Sequence, residues 1–343
     1  MTSAAQSGFE SDPLKVLTDA WKNVFRRTSV GVNENFFELG GDSSLATVLF
    51  TEISCALGRE ISPVLISHAP TIASLNTLLQ YRGPISLPAV TPLRAGDSAS
   101  PPILMFHGCG ATVLDLFRLA NSIQAPNSIY GLQDPGTDGF TKPFERIADI
   151  AEYHLQAIKQ QKIRGPYLLI GYSAGGLVTL EIANRLKKIG DTIALLVMID
   201  SFLPISALPP YRVLGVKARR EAHRLAVSVR RSTIPGTRGR ERMHVATDLQ
   251  PSRIGECMRR FQEAERQALE NYRGQYYGGR VRFVRAKSSW TFPLDPRKMW
   301  SSFIPNMTVE TSLGDHTGLV STHYGDLAMR LSRYIAEALC NSL

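Results

Sequence analysis

No stretch of this chain is apolar for long enough to cross a bilayer, so no membrane segment is expected. Met1 to Glu10 lacks both a basic start and an apolar core, so no signal peptide is read there and a cytoplasmic location is expected. Cysteine is scarce: Cys55, Cys109, Cys257 and Cys340 are the only four in 343 residues. They lie far apart, form no C-x-x-C and sit in no cluster with histidine. That argues against a disulfide framework or a zinc site and for reduced thiols. No internal repeat is visible. What is present, 43% hydrophobic and 20% charged residues, is the composition of a soluble globular protein long enough for one large domain and one small one.

The formal net charge of +9 is unevenly placed. Residues 1–80 hold eight acidic and five basic side chains, whereas residues 211–243 hold ten Arg or Lys and two Glu. The basic stretch reads equally as a solvated helix face or as a docking surface for an acidic partner. No aromatic interleaving accompanies it, so nucleic acid is not an expected partner.

The hydrophobic rhythm divides the chain. Asp12 can cap a helix over 12–27, with Pro13 at its first position and Leu14, Leu17, Trp21, Val24 and Phe25 on one face. A second helix is expected near Ser43, a short apolar turn at Val64 to Ile66, and a further helix from Thr71. Residues 1–80 thus read as a small helical bundle. Between Tyr81 and Pro102, seven of 22 residues are Pro or Gly, which marks residues 81–101 as a linker, with room for an edge strand at Leu87–Leu93. From 102 to 343, apolar strands alternate with helices. Strands are expected at 103–106, 129–132, 167–170, 193–199, 281–284 and 307–313, and helices at 144–161, 177–188 and 326–339. That alternation predicts a doubly wound, mostly parallel sheet. Residues 203–275 interrupt it and read as a helical lid over the C-terminal strand ends.

The chemistry gathers at Gly171-Tyr172-Ser173-Ala174-Gly175-Gly176. A strand precedes it and a helix follows, which is the setting of the G-x-S-x-G nucleophile elbow of α/β-hydrolases. A serine hydroxyl needs a neutral imidazole to take its proton and a carboxylate to hold that imidazole. Asp200 directly follows a buried strand and is the expected acid; His316, in Gly314-Asp315-His316, follows the last strand and is the expected base, with His323 as competitor. The order Ser, Asp, His is the one this fold uses. The oxyanion of the reaction needs two N–H donors, expected from the backbone of Ala174 and of Cys109 in the loop after the first core strand. His107 is read as structural, and Cys109 not as a nucleophile.

Ser43 lies in Phe36-Phe37-Glu38-Leu39-Gly40-Gly41-Asp42-Ser43, at a loop–helix junction. An exposed serine awaiting modification and an ordinary N-cap serine look alike there. The octapeptide resembles the attachment motif of peptidyl carrier domains of nonribosomal peptide synthetases, and residues 101–343 resemble the type I thioesterase domain that follows such carriers. Tyr172 departs from that pattern, standing where many of these enzymes have histidine. The resemblance implies a four-helix carrier bundle ahead of an α/β-hydrolase fold, with 4′-phosphopantetheine carried on Ser43. It further implies a thioesterase that moves an acyl or peptidyl chain from that arm to Ser173 and releases it, by hydrolysis in the first instance. A cyclase, condensing enzyme or acyltransferase would use the same site, and a carrier or docking module without turnover is the reading that the complete Ser-Asp-His order disfavours. Expected partners are a phosphopantetheinyl transferase and adenylation, condensation or polyketide synthase modules acting in trans. Arg219, Arg220, Arg230 and Arg231 of the lid are expected to help dock the acidic carrier or its arm.

Overall fold

A computed structural model describes residues 12–81, 83, 85–204, 253–288 and 295–340. The four lid arginines and most of the expected lid lie outside the described residues.

The N-terminal unit holds α1 (Pro13–Phe25), α2 (Ser43–Leu57), a 3-10 turn over Pro63–Ser67, and α3 (Ile72–Gln80). Asp12 caps α1 by accepting the Leu14 N–H, and Pro13 occupies the position where a missing N–H costs nothing. Thr71 and Ser74 form a reciprocal capping box on α3. Leu17, Trp21, Phe36, Leu49, Phe50 and Ile53 are fully buried between these helices. Each such side chain withdrawn from water contributes about 1.5–3 kcal/mol before entropy is charged.

The rest is a seven-stranded sheet: β1 (Val90–Arg94), β2 (Ile103–Phe106), β3 (Ile129–Leu132), β4 (Tyr167–Tyr172), β5 (Ile193–Ile199), β6 (Val281–Ala286) and β7 (Met307–Ser312). The strand order is β1-β3-β2-β4-β5-β6-β7. All neighbours are parallel except the edge pair β1–β3. β1 starts three residues later than the pattern suggested. Pro88 precedes it, and Pro92, which has no N–H to donate, is tolerated because the strand is an edge and its register breaks after that residue. Only residues 81–89 therefore lie between α3 and the sheet, a span of about 30 Å when extended.

Helices α4 (Phe117–Ser122), α5 (Ile147–Gln160), α6 (Ala174–Lys188), α7 (Arg253–Asn271) and α8 (Tyr324–Cys340) cover the sheet. The central strands β2 and β4 are buried on both faces, as parallel strands covered by helices on either side must be, while the edge strand β7 is only partly buried. On one face, Leu168 and Ile170 pack with α4 and α8 in a core continuous with that of the N-terminal helices. On the other, Tyr167 and Leu169 pack with α5, α6 and the end of α7. α5 begins at Ile147 rather than Phe144; Phe144 lies outside the helix, its ring 5.6 Å from that of Tyr153. No helix among the described residues is long and apolar enough to cross a membrane.

The N-terminal helices rest against the sheet unit. The rings of Phe37 and Phe117 stack at 3.6 Å, and Asp42 pairs with Arg118 at 3.1 Å. Ser62 Oγ donates to the Thr137 carbonyl at 2.8 Å, and Glu60 accepts the Ile254 N–H of α7 at 2.8 Å.

Candidate active site

The sheet brings together loops at the C-terminal ends of β2, β4, β5 and β7. β4 runs one residue beyond Gly171 and turns at Ser173 with φ 55° and ψ −120°, a conformation non-glycine residues rarely adopt. The turn is held because the Ser173 N–H donates to the Ile199 carbonyl at 2.8 Å. It also needs Gly175, since a Cβ there would sit 2.4 Å from the His107 carbonyl oxygen. This strained turn lifts the hydroxyl off the sheet.

Asp200 follows β5 with φ 46° and is 1% exposed. Its Oδ1 accepts the Ala286 N–H at 3.0 Å, and its Oδ2 accepts from His316 Nδ1 at 2.8 Å. A carboxylate can only accept, so His316 carries its proton on Nδ1, and Nε2 is left to accept from Ser173 Oγ–H at 3.0 Å. The three side chains, separated by up to 143 positions in sequence, form one hydrogen-bonded line. His323 is elsewhere, with its Nδ1 against Thr322 Oγ1.

The loop after β2 closes over Ser173. Gly108 permits this, because a Cβ there would lie 2.9 Å from the Tyr172 ring and 3.2 Å from Ser173 Cβ. Cys109 follows Gly108, and its N–H has no acceptor among the described residues; neither has that of Ala174, at the start of α6. Burial on its protein side and the neighbouring Glu265 carboxyl push the Cys109 thiol up to about 12, although the residue as a whole is exposed. A thiol so poor in thiolate is no nucleophile at neutral pH. His107 is fully buried and held down in its neutral form by that burial, with Nδ1 on the Gly108 carbonyl.

Two contributors were not anticipated as such. Tyr172 donates its hydroxyl to the His316 carbonyl at 2.8 Å and stacks its ring on the imidazole at 5.1 Å, thus holding the His316 loop at two points. Its departure from the family pattern was the available signal. Glu265 of α7 reaches the Gly110 N–H. It falls within the buried stripe Phe261, Ala264, Ala268 and Tyr272, where a charged residue is out of place.

At the other candidate site, Asp42, not Ser43, caps α2 by accepting the Leu45 N–H at 2.9 Å. Ser43 is left half-buried, with no hydrogen bond to its Oγ among the described residues. A free hydroxyl on the first turn of a 15-residue helix, where the dipole favours negative charge, suits attachment of a phosphodiester.

An open, mostly parallel sheet with a serine elbow after one strand and an acid and a histidine after later strands defines an α/β-hydrolase architecture. Comparison with known proteins narrows this. The thioesterase domain family matches residues 101–211, and the phosphopantetheine attachment site family matches residues 15–79. A dimodular nonribosomal peptide synthase of Bacillus subtilis is 35% identical over 201 residues, 57% of this chain and 8% of that protein. Enterobactin synthase component F of Escherichia coli K12 is 30% identical over 174 residues, 50% of this chain and 13% of that protein. The chain thus spans only a small part of the length of these relatives. In fold it resembles a four-domain nonribosomal peptide synthetase, holo-AB3403 bound to AMP and glycine, with TM-score 0.58 at 20% identity over 97% of this chain and 27% of that one. It also resembles YbtT, a type II thioesterase from the yersiniabactin pathway, with TM-score 0.52 at 15% identity over 73% of this chain and 99% of that one. The chain joins a phosphopantetheine carrier domain to a thioesterase domain of the α/β-hydrolase fold, and its relatives are nonribosomal peptide synthetases.

Proposed function

We propose that residues 1–80 are the carrier and that the sheet unit beginning with β1 is the thioesterase, the two joined by residues 81–89 rather than by the whole of the expected linker 81–101. In this reading the thioesterase transfers an acyl or peptidyl chain from the arm on Ser43 to Ser173 and releases it by hydrolysis. The observation that carries the reading is the line Ser173 Oγ to His316 Nε2 at 3.0 Å and His316 Nδ1 to Asp200 Oδ2 at 2.8 Å, at the sheet edge where this fold does its chemistry.

The phosphopantetheine arm, when bound, supplies the acyl group as a thioester. Ser173 Oγ attacks the acyl carbon while His316 Nε2 takes the hydroxyl proton. Asp200 stabilises the imidazolium and fixes its tautomer, and its own second oxygen is held by the Ala286 N–H. The N–H groups of Ala174 and Cys109 receive the oxyanion. His316 returns the proton to the leaving sulfur, and the acyl group is left esterified on Ser173. A water deprotonated by His316 then attacks that ester; the imidazole is 30% exposed, which favours water as acceptor.

The reading implies a phosphopantetheinyl transferase for Ser43, synthetase modules that load the arm, and a cytoplasmic setting, with which the four unpaired cysteines agree. The test is intact mass spectrometry of the full chain treated with a phosphopantetheinyl transferase and acyl-CoAs. Wild type should gain the arm and lose the acyl group, Ser173→Ala should retain the acyl group on the arm, and Ser43→Ala should gain no mass. Persistent release by Ser173→Ala would overturn the assignment of the nucleophile.

A further inference from the structure

The lid helix α7 crosses the loop that follows β2. The Phe261 ring, buried, lies 6.4 Å from that of His107. One turn on, Glu265 is 6% exposed and accepts the Gly110 N–H, with the Cys109 thiol beside its carboxyl. Gly110 has φ +73°, and Gln262 closes around it, 3.4 Å from where a Cβ would stand. The loop is therefore gripped from the nucleophile's side at Gly108 and from the lid's side at Gly110. Of the two successive amides, that of Gly110 is consumed, while that of Cys109 has no acceptor among the described residues.

We propose that Glu265 is a positioning residue for the oxyanion loop: by accepting the Gly110 N–H it fixes the turn and leaves the Cys109 N–H as the loop's donor to the acyl oxygen. The inference rests on Ser173 being the nucleophile.

The protonation state of Glu265 follows from its surroundings. Burial first, and then the charge of Asp134 from the loop after β3, hold its carboxyl well above the ordinary carboxylate range, against the opposing pull of the Gly110 N–H and the Cys109 thiol. Asp134 itself is held by His154 of α5 at 2.8 Å, and His107 beside it is kept neutral by burial. On α7, Arg266 is turned to Glu263 and Glu270 and so does not neutralise the site. When protonated, Glu265 accepts the Gly110 N–H through its carbonyl oxygen without placing charge beside the oxyanion. Once ionised, it sets a negative charge one residue from the donor that must stabilise another. Ionisation of Glu265 should therefore lower turnover, on top of the requirement that His316 be neutral to act as base.

The test uses the full chain with a soluble acyl-pantetheine thioester, wild type against Glu265→Gln, Glu265→Ala and Ser173→Ala, from pH 6 to pH 10. Ser173→Ala also supplies the background for alkaline thioester hydrolysis. Glu265→Ala should lose about tenfold in kcat with KM nearly unchanged, a fraction of the hundredfold or more that follows removal of an oxyanion donor itself. Glu265→Gln, whose amide oxygen still accepts from Gly110, should keep kcat within about threefold at neutral pH and lack any decline that ionisation of Glu265 causes in wild type. If Glu265→Ala turns over like wild type, or Glu265→Gln loses as much kcat as Glu265→Ala, the proposal is overturned. Should Glu265→Ala not fold, Glu265→Gln decides alone, and a loss of about tenfold or more in its kcat at neutral pH overturns the proposal. Turnover surviving in Ser173→Ala would instead remove the nucleophile assignment, a separate failure.

Discussion

Arg118 joins the thioesterase domain to the residue beside Ser43, the proposed attachment serine, and reversing its charge isolates what that contact does. In the structure its guanidinium lies 3.1 Å from Asp42, with side-chain exposures of 47% and 27%. A pair so open to water contributes at most about 1 kcal/mol. Arg118→Glu removes that attraction and replaces it with a repulsion of similar size, a swing of about 1–2 kcal/mol, or roughly five- to thirtyfold in the docking equilibrium constant. The Phe37–Phe117 stack and the Ser62–Thr137 hydrogen bond are untouched, so the carrier keeps its seat in part. Single-turnover transfer from the chain's own loaded Ser43 should slow by about fivefold or more, while hydrolysis of a soluble acyl-pantetheine thioester stays unchanged. At 1 M salt, where the screening length is about 3 Å, wild type and variant should converge. Equal slowing on both substrates would mean that the substitution damages the site, and no slowing on either would mean that this seat is not the one used for transfer.

Two further outcomes follow from the site itself. Tyr172→Phe keeps the ring stacked on His316 but removes the hydrogen bond to its carbonyl, and burial keeps that phenol protonated throughout the working range. Loss of about 1 kcal/mol of positioning should lower kcat about fivefold with little change in KM, read from initial rates on a soluble thioester. Gly108→Ala drives a methyl to 2.9 Å from the Tyr172 ring and 3.2 Å from Ser173 Cβ. Overpacking of about 1–3 kcal/mol should push the oxyanion loop off the nucleophile and cut kcat at least tenfold, with a far-ultraviolet circular dichroism spectrum like that of wild type.

The parts legible in the sequence were those written in local chemistry. A strand buried on both faces is a continuous apolar run, and β2, β4 and β5 were readable for that reason, whereas β6 and β7 alternate apolar with polar residues. Ser173 and Asp200 directly follow strands and His316 lies in the loop four residues after β7, so position relative to a strand substitutes for three-dimensional distance. What was not legible depended on pairing. The Pro-rich stretch before β2 looks like linker, yet its edge strand is fixed by pairing with β3, 35 or more positions away. α4, only six residues long, has too few turns to show periodicity, and its Phe117 and Arg118 reveal their purpose only against the N-terminal helices. Glu265 was visible as an acid within an apolar stripe, but nothing local says that its partner is an amide 155 positions earlier.

These non-local contacts converge on one short segment. From Gly108 to Arg118 the chain meets in turn Ser173, the proposed nucleophile, at Gly108, helix α7 at Gly110, and the N-terminal helical unit at Phe117 and Arg118. The segment is not a slack loop. Thr112 and Asp115 close a reciprocal capping box, and Val113 donates its N–H to the Gln133 side chain at 2.9 Å. A stretch this well hydrogen-bonded moves as a unit rather than residue by residue. The amide assigned to the oxyanion thus shares a rigid segment with the surface that seats the carrier and with the grip of the lid. Displacement of either neighbour has a direct mechanical route to the oxyanion donor, through packed atoms that are contiguous in sequence. Comparing Arg118→Glu, Glu265→Ala and their double variant would measure that coupling: additive losses mean independent contacts, and a departure from additivity means that the segment responds as one body.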